Sequence, residues 1–465
     1  MSLHMLLNSR LIRIAACTLV PIIVWASNTH AERLREALRH TYENNPEIKA
    51  ARARLRAIDE KTPQALSNHM PQVGLSGEYG LNKKYRSIAA GGNSKLYPGT
   101  VELTVSQPLF RGFRTLHALK KAKASILAGR ESLKSTEQTV LLDAVTAYMD
   151  VLRDAQIVQH RKRNIAVLRR HLRAARRRLE VGAASKTDEA QARLRLARAR
   201  AELGPAKARL RASRARYASI VGHAPSAPQL PRLHRSLMPR NLGEAIEQAA
   251  AINPAILESR HAEEAARNEI NEVKGELLPT VNLEASYSWR HNYLSRGNRE
   301  RDMTIMGRVN MPLYQGGNVV SRIREARQTR AQRRYEAASS QAQIQARVIA
   351  AWEQIAAAKA QIAAGKYEIA AARQALKGVR KEYLAGQRTM LDVLDATQEL
   401  TSAEISLSNG YHDKVVAHYT LLATVGVLTS ADLQLDVVPY QPKINRERVK
   451  YNLVDLGLRL QILPD

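Results

Sequence analysis

The fold is decided by residues 114–179, which read RTLHALKKAKASILAGRESLKSTEQTVLLDAVTAYMDVLRDAQIVQHRKRNIAVLRRHLRAARRRL. This run of 66 residues contains no proline and one glycine, Gly129. A second proline-free run of 66 residues covers residues 319–384. An α-helix rises about 1.5 Å per residue, so each run predicts a helix about 100 Å long. Helices of that length do not fit inside a globular domain; they form coiled coils or tubes.

The two long runs belong to an internal duplication of the sequence. Motifs of the first half recur 208 residues later, and past the first predicted strands the displacement becomes 204 residues. The four-residue difference falls between Tyr79 and Pro108, where a loop between strands would tolerate it. The matches are Glu36-Ala37 with Glu244-Ala245, Asn45-Pro46 with Asn253-Pro254, Pro71 with Pro279, Tyr79 with Tyr287, Pro108-Leu109-Phe110 with Pro312-Leu313-Tyr314, Gly182 with Gly386, Asp188 with Asp392, and Val221-Gly222 with Val425-Gly426.

Each half has the same predicted order of elements: short helices, a pair of strands, a very long helix, a glycine-containing turn and a returning helix. The first repeat covers residues 32–225, with its strand pair at about 72–108, its long helix at about 113–180 and its returning helix at about 187–221. The second repeat covers residues 226–430, with the same elements at about 280–313, 318–384 and 391–425. Residues 431–465 form a C-terminal segment that is either equatorial or unassigned.

Two proline positions depart from this regular pattern. Pro63 lies in the helical stretch before the first strand and predicts a break there. Gly204-Pro205 interrupts the first returning helix, so we expect a kink or altered packing at that point.

The predicted strands alternate between apolar and polar residues. Val73, Leu75 and Tyr79 show this alternation in the first strand, whereas Met306 falls on the polar side of the fourth. The pattern is typical of a membrane barrel strand and also of a half-buried sheet in a soluble protein. Membrane barrels need about eight or more strands, so four strands would have to be paired by other copies in a closed ring.

The N-terminus predicts a cleavable secretory signal, residues 1–31. Arg10 and Arg13 precede an apolar run at residues 14–25, which is short of the ~20 residues that a membrane helix needs. Residues 14–17, ending in Cys17, faintly resemble a lipoprotein processing site, which stays open as an alternative. Cleavage after residue 31 would remove the only cysteine and exclude disulfides from the mature chain.

The formal net charge of +29 arises largely from Lys and Arg at residues 161–178 and 193–216. A solvated face of a helical tube, an anion-attracting lumen or a surface for acidic partners would each explain it. A nucleic-acid-binding coiled coil would also use such charge, but it would need neither an export signal nor alternating strands. A periplasmic adaptor with helical hairpins is a further rival, although it lacks duplicated strand pairs. The sequence predicts no enzyme, metal site or cofactor, because the thirteen histidines form no zinc-binding helix pattern.

The export signal, the duplicated halves, the strand pairs before ~100 Å helices and the glycine-containing tips together resemble the TolC-like outer membrane efflux protein family. The resemblance covers roughly residues 32–430. It implies a mixed α and β membrane protein, a homotrimer in which twelve strands, four per chain, form one outer-membrane β-barrel. A long periplasmic α-helical barrel would continue it, with a belt from residues 223–243 and the C-terminal segment.

The function that the resemblance implies is that of a passive outer-membrane channel of tripartite efflux or type I secretion systems. Such a channel spans the outer membrane lipid of a Gram-negative cell and extends into the periplasm. It works with a periplasmic adaptor and an inner-membrane transporter, binds no nucleic acid, and exports drugs, other small molecules or secreted proteins. Its periplasmic tip is gated.

The closest match to the family lies at the second helix tip, residues 383–388, followed by residues 392–396. Its counterpart in the first half is residues 181–188. In TolC-like channels these tips form the closed periplasmic aperture. The resemblance therefore implies that Gly182 and Gly386 form tip turns at which the adaptor and the transporter dock.

The resemblance also assigns a gate to the two tips. Carried over by position, Tyr383 and Arg388 would bond to Asp188 and Thr187 of the other tip. A charge-assisted bond is strong enough to hold a gate closed and is still reversible. Like carboxylates around a threefold axis would repel one another and attract cations. The aspartates that would form this acidic entrance ring are Asp392 and Asp395.

Overall fold

The computed structural model describes residues 32–85, 94–233 and 235–450, so the predicted signal segment 1–31 and residues 451–465 lie outside it. Long helices dominate the chain, beside a small antiparallel sheet. The helices are α1 (Leu34–Asn44), α2 (Pro46–Asp59), α3 (Lys61–Ser67), α4 (Arg114–Glu180), α5 (Lys186–Val221), α6 (Leu242–Ile252), α7 (Pro254–Lys274), α8 (Asn318–Leu384), α9 (Met390–Val425) and α10 (Pro442–Lys450). The strands are β1 (Gln72–Tyr79), β2 (Asn82–Lys84), β3 (Ser94–Leu96), β4 (Gly99–Arg111), β5 (Thr280–His291) and β6 (Arg299–Asn310).

The helices form two hairpins of matching size. The long helices α4 and α8 each contain 67 residues, and the returning helices α5 and α9 each contain 36. At about 1.5 Å per residue the long helices extend about 100 Å. Helix α4 packs against both α5 and α9, and α8 packs against α9, so the two hairpins lie side by side. Within the described ranges, no helix combines the length and the apolar character needed to cross a membrane.

The two proline positions, Pro63 and Pro205, differ in their effect on helix continuity. Helix α2 ends at Asp59 and Pro63 lies in the first turns of α3, so the predicted break is present. At Gly204-Pro205, where the sequence predicts a kink or altered packing, α5 continues through Pro205 as one helix. A cavity of about 260 Å³ lies between Pro205 and α4.

The four-stranded sheet has the order β1-β4-β5-β6, with antiparallel pairing between all neighbours, while β2 pairs with β3 separately. The register brings the alternating residues of the four strands onto common faces. Apolar residues form adjacent rows on one face: Val73, Val105, Ala285 and Ile305, then Leu75, Leu103, Tyr287 and Met303. Rows on the other face are polar, for example Ser76, Glu102, Ser288 and Asp302.

Met306 is the exception in this pattern, as its sequence position indicates. It lies opposite Glu284 on the polar face. The strands β1 and β6 stand at the two ends of the sheet, and within the described residues each pairs with one neighbour only. Both are rich in exposed apolar side chains: Leu75 is 75% exposed and Met303 is 70% exposed.

The main apolar core lies halfway along the long helices, around Tyr148 of α4. It combines side chains from α1, α5 and α9 with those of Leu233, Leu237, Met238, Leu428, Leu433 and Leu435. The Tyr148 hydroxyl donates to Glu32 O at 2.8 Å and accepts from Gln229 N at 2.8 Å. Burial raises the pKa of Tyr148 to about 12. The last helix, α10, is attached to α2 by Asn445, whose amide donates to Asp59 at 2.9 Å.

We expect Gly275→Ala to destabilise the junction at which β4 enters α4. A Cβ on Gly275 would overlap the carbonyl oxygen of Gly112 and the side chain of Arg114, although its φ of −62° suits alanine. Overpacking of this kind costs about 1–3 kcal/mol, which should appear as a lower midpoint in thermal unfolding of the detergent-extracted protein. Gly378→Ala in α8 is the control, because its Cβ would meet nothing within 4 Å. Equal midpoints for both variants would contradict the steric account.

Candidate functional site at the hairpin tips

The two tips are short turns with the same backbone chemistry. Gly182 and Gly386 have φ values of 74° and 78°, a left-handed conformation that glycine adopts without steric cost. The backbone N–H of Ala183 donates to Arg178 O at 2.7 Å, and that of Gln387 donates to Glu382 O at 2.9 Å. These bonds satisfy carbonyl groups that the ends of α4 and α8 would otherwise leave unpaired.

Each returning helix begins with a capping box. In α5, Ser185 is the cap, and its N–H and hydroxyl donate to Asp188 Oδ2 at 3.0 and 2.9 Å. In α9, Thr389 is the cap, and its N–H and hydroxyl donate to Asp392 Oδ2 at 2.9 and 2.7 Å. The bonds from Thr389 hold the pKa of Asp392 below its usual range, so this carboxylate is ionised at neutral pH.

Within a chain, Asp188, Arg388 and Tyr383 contact partners other than those predicted for the gate. Arg388 Nε lies 3.0 Å from Oε2 of Glu382, a residue two positions before the end of α8. The Tyr383 ring lies under the guanidinium of Arg178, 4.8 Å from its centre. Among the described residues, neither Arg388 nor Tyr383 bonds to Asp188 or Thr187. The predicted lock between the tips therefore stays a prediction.

Contacts between the two hairpins include residues that the sequence did not single out. Arg195 of α5 donates to Asp395 of α9, so one of the predicted ring aspartates is paired within the chain. Met390 and Leu394 of α9 are buried in an apolar cluster with α4 and α5. Arg195 was missed because it lies within a basic stretch in which no arginine stands out by motif.

An ionic cluster that is buried at His412 and exposed at its rim joins the hairpins further from the tips. His412 of α9 lies with Nε2 3.0 Å from Asp150 Oδ1 of α4 and Nδ1 2.8 Å from Asp413 Oδ1. Arg153 also bonds to Asp150, at 3.0 Å, and Arg216 of α5 reaches the same carboxylate at 3.8 Å. Burial alone would lower the pKa of His412, but the hydrogen bonds to the two aspartates outweigh it and raise the pKa.

Nearer the tips, His160 of α4 forms a second pair of this type. Its Nδ1 lies 2.9 Å from Glu404 Oε2 of α9. Polar contacts therefore connect the two hairpins along much of their length. In residues 32–85, 94–233 and 235–450, no group of three or more His, Cys, Asp or Glu side chains is placed to hold a metal ion.

A sheet with one exposed apolar face, continued by two hairpins about 100 Å long, defines a protein built to reach across a cell envelope. An enzyme built around an active-site cleft needs no such length. The tips, at the far ends of the hairpins, are the parts of this architecture best placed to meet partners.

Comparisons with known proteins agree with this class. The chain matches the outer membrane efflux protein family over residues 37–223 and again over residues 245–427. It is 35% identical to the outer membrane efflux protein BepC of Brucella suis, over 94% of both chains. It is 26% identical to the outer membrane protein TolC of Escherichia coli, over 89% of this chain and 87% of TolC. The crystal structure of the Campylobacter jejuni CmeC outer membrane channel superposes with a TM-score of 0.77 at 14% identity, covering 92% of this chain and 90% of that chain.

The chain belongs to the outer membrane efflux protein family, and the family predicted from the sequence is confirmed. It is an outer-membrane export channel protein located in the outer membrane. Members of this family are passive channels rather than enzymes.

We expect the stability of the chain to fall as the pH rises above about 6.5, the ordinary pKa of histidine. The folded state raises the pKa of His412, so the stabilisation from its ion pairs is complete below the unfolded pKa. It is lost as the pH rises through the folded pKa. His412→Gln should flatten the dependence of the thermal midpoint on pH between about 6 and 9. His69→Gln, at an exposed position, is the control and should leave that dependence unchanged.

Proposed function

We propose that three copies of the chain form a duct, with a twelve-stranded β-barrel in the outer membrane and an α-helical barrel in the periplasm. The observation that carries this proposal is the four-stranded sheet with two unpaired edges and one apolar face. An internal duplication would then supply two strands and one long hairpin per repeat.

Strand direction supports closure into a ring. Because all four strands are antiparallel and their number is even, β6 of one copy can pair antiparallel with β1 of the next. Two copies would give eight strands, whose interior is about filled by side chains. Three copies give twelve strands and leave room for a lumen, in agreement with the family resemblance.

The distribution of exposed apolar residues supports the membrane location of the sheet. Val73 is 69% exposed and Ile305 is 61% exposed, and they lie at opposite ends of one row. Apolar surface in water costs about 25 cal/mol per Å², so a continuous face of this kind favours lipid contact. The polar face, with Glu102 and Asp302, would line the lumen.

The hairpins would carry the duct across the periplasm to a gate at the tips. In the closed state, Arg388 and Tyr383 would bond to Asp188 and Thr187, with Arg388 exchanging its present partner Glu382. Asp392 and Asp395 would form an acidic ring at the entrance. Binding of a periplasmic adaptor and an inner-membrane transporter at Gly182 and Gly386 would favour the open state.

The duct itself would be passive, and the transporter would supply the energy. We propose drugs, other small molecules or secreted proteins as cargo.

Planar-bilayer recording of the purified, detergent-extracted protein tests the duct. We expect small, steady conductance that millimolar divalent or trivalent cations block, because ionised Asp392 carboxylates would attract them. The mass of the protein in detergent should be that of three chains. A water-soluble monomer without conductance would reject the barrel and favour a periplasmic adaptor.

Removing the gate bond should open the channel. We expect Arg388→Ala combined with Asp188→Ala to raise the single-channel conductance, since the charge-assisted bond that holds the tips together would be lost. Lys381→Ala combined with Glu180→Ala removes one charge of each sign close to the same tips and serves as the control. Unchanged conductance in the first variant, or an equal rise in both, would count against the assigned gate.

A further inference from the structure

The end of the sheet that points away from the helices is strongly basic. Helices α4 and α8 follow the opposite ends of β4 and β6, so the free end of the sheet is the one at Tyr79 and Arg299. The segments that connect the strands there, residues 82–97 and 290–302, together contain eight basic and two acidic residues. What these charges can bind depends on the face of the sheet to which each belongs.

The strand register sorts the charged residues by face. On the polar face, Arg290 Nη1 lies 3.7 Å from Glu300 Oε1, and Arg308 Nε lies 2.9 Å from Glu284 Oε2, so both arginines have partners. The remaining acidic residues of the four strands lie on the same face: Glu78, Glu102 and Asp302. Along these four strands, the apolar face therefore carries no carboxylate.

Two arginines lie on the apolar face at the free end. Arg301 is opposite Trp289, and Arg299 is opposite His291. They follow Met303 of the apolar face in steps of two residues, which keeps them on that face. Both side chains are exposed, and within the described part of the chain neither has an ion-pair partner. Two positions along a strand span about 7 Å, so both guanidinium groups can reach one bound anionic group.

A second copy of the chain would not neutralise these arginines. In the proposed ring, β6 pairs with β1 of the next copy. The residues that β1 contributes to the apolar face are uncharged: Val73, Leu75, Gly77 and Tyr79. The one carboxylate of β1, that of Glu78, belongs to the polar face. Neutralisation has to come from a different molecule.

The position of the arginines along β6 corresponds to the edge of a membrane. Arg301 is eight residues from Val309, in the last apolar row at the other end of the sheet. This separation is about 26 Å along the strand, or about 20 Å along the membrane normal at a tilt of about 40°. The apolar band of a membrane barrel is about 25 Å tall, and a long arginine side chain reaches further outward than its backbone. The two guanidinium groups would therefore lie at the depth of lipid headgroups.

A second basic pair lies at the same end of the sheet. Lys83 of β2 and Lys95 of β3 are direct cross-strand partners, so their side chains share a face. Like charges placed opposite each other are destabilising, and a bound anion would remove the repulsion. The side-chain amide of Asn292 donates to Tyr97 O at 3.3 Å, which attaches the loop after β5 to the segment after β3.

We propose that Arg299, Arg301, Lys83 and Lys95, the basic rim, bind the phosphate groups of the glycolipid in the outer leaflet, with its acyl chains against the apolar face. Arginine binds phosphate through two parallel N–H···O bonds, which suits a fixed headgroup. Phosphates held around the ring would set the depth of the duct in the membrane. The inference rests on the proposed function, because it takes the apolar face to lie in lipid and the free end of the sheet to face the cell exterior.

The test measures binding of lipid A to the detergent-extracted full-length protein by native mass spectrometry, after detergent exchange has removed co-purified lipid. The probes are phosphorylated lipid A and the same lipid after enzymatic removal of its phosphates. The rim variant carries Arg299→Gln and Arg301→Gln. The control variant carries Arg290→Gln and Arg308→Gln, which removes the same charge from the polar face of the sheet.

We expect the rim variant to bind phosphorylated lipid A about tenfold more weakly, because two charge-assisted contacts are lost at a partly solvated site. The control variant should stay within about twofold of the unmodified protein. Lys83→Gln combined with Lys95→Gln should weaken binding in the same direction as the rim variant. Equal weakening in the rim and control variants would overturn the proposal. So would equal affinity of the unmodified protein for the two forms of lipid A.

Inorganic phosphate distinguishes a lipid surface from a simple anion site. At millimolar concentration it should leave lipid A bound, because the acyl chains also cover the apolar face. Complete displacement of lipid A by inorganic phosphate would reject the lipid as the occupant.

Planar-bilayer recording of the same samples separates this proposal from the duct. The rim variant should keep the mass and the conductance of the unmodified protein, since its two arginines would lie outside the lumen. Changed conductance in that variant with unchanged lipid binding would place the arginines in the lumen and reject the basic rim. Conductance without phosphate-dependent binding would also reject the basic rim and leave the duct intact. Phosphate-dependent binding without conductance would reject the duct and leave the basic rim standing.

Discussion

The antiparallel pairing of β4 with β5 is the constraint on which the rest of the structure depends. It pairs residues that lie about 170 to 190 positions apart along the chain, from Arg111 with Thr280 to Gly99 with His291. This register collects the alternating apolar residues of both halves on one face of the sheet. It also starts the two hairpins from the same sheet, so α4 and α9 can run beside each other. A shift by one residue would turn the apolar side chains of β5 to the polar face.

Below the sheet, the hairpins hold together in two ways. Apolar clusters around Tyr148 and near the tips join α4 and α5 to α9 of the other hairpin. Between the hairpins, polar pairs are frequent, including His160 with Glu404 and His412 with Asp150. Polar pairs that are partly solvated can exchange partners at a low cost in free energy. Separating a packed apolar core costs more.

Much of the local structure could be predicted because it depends on neighbouring residues. The absence of proline over residues 114–179 is enough to predict a long helix. The glycines at positions 182 and 386 are enough to predict tight turns. The position of Met306 on the polar face follows from strand periodicity alone. The helical conformation at Pro205 could not be predicted in this way. A proline inside a helix removes one backbone hydrogen bond and indicates a kink or a break, yet α5 continues through Pro205.

The sequence by itself determined the helix lengths, the tip turns, the alternation of the strands and the family, because each is a pattern of residues near one another along the chain. Only the tertiary structure decided which side chains meet. It paired Arg195 with Asp395, placed His412 between two aspartates and brought Arg176 of α4 and Arg193 of α5 onto one carboxylate, that of Glu189. These contacts join residues up to about 260 positions apart, and their partners depend on how α4, α5 and α9 are packed together.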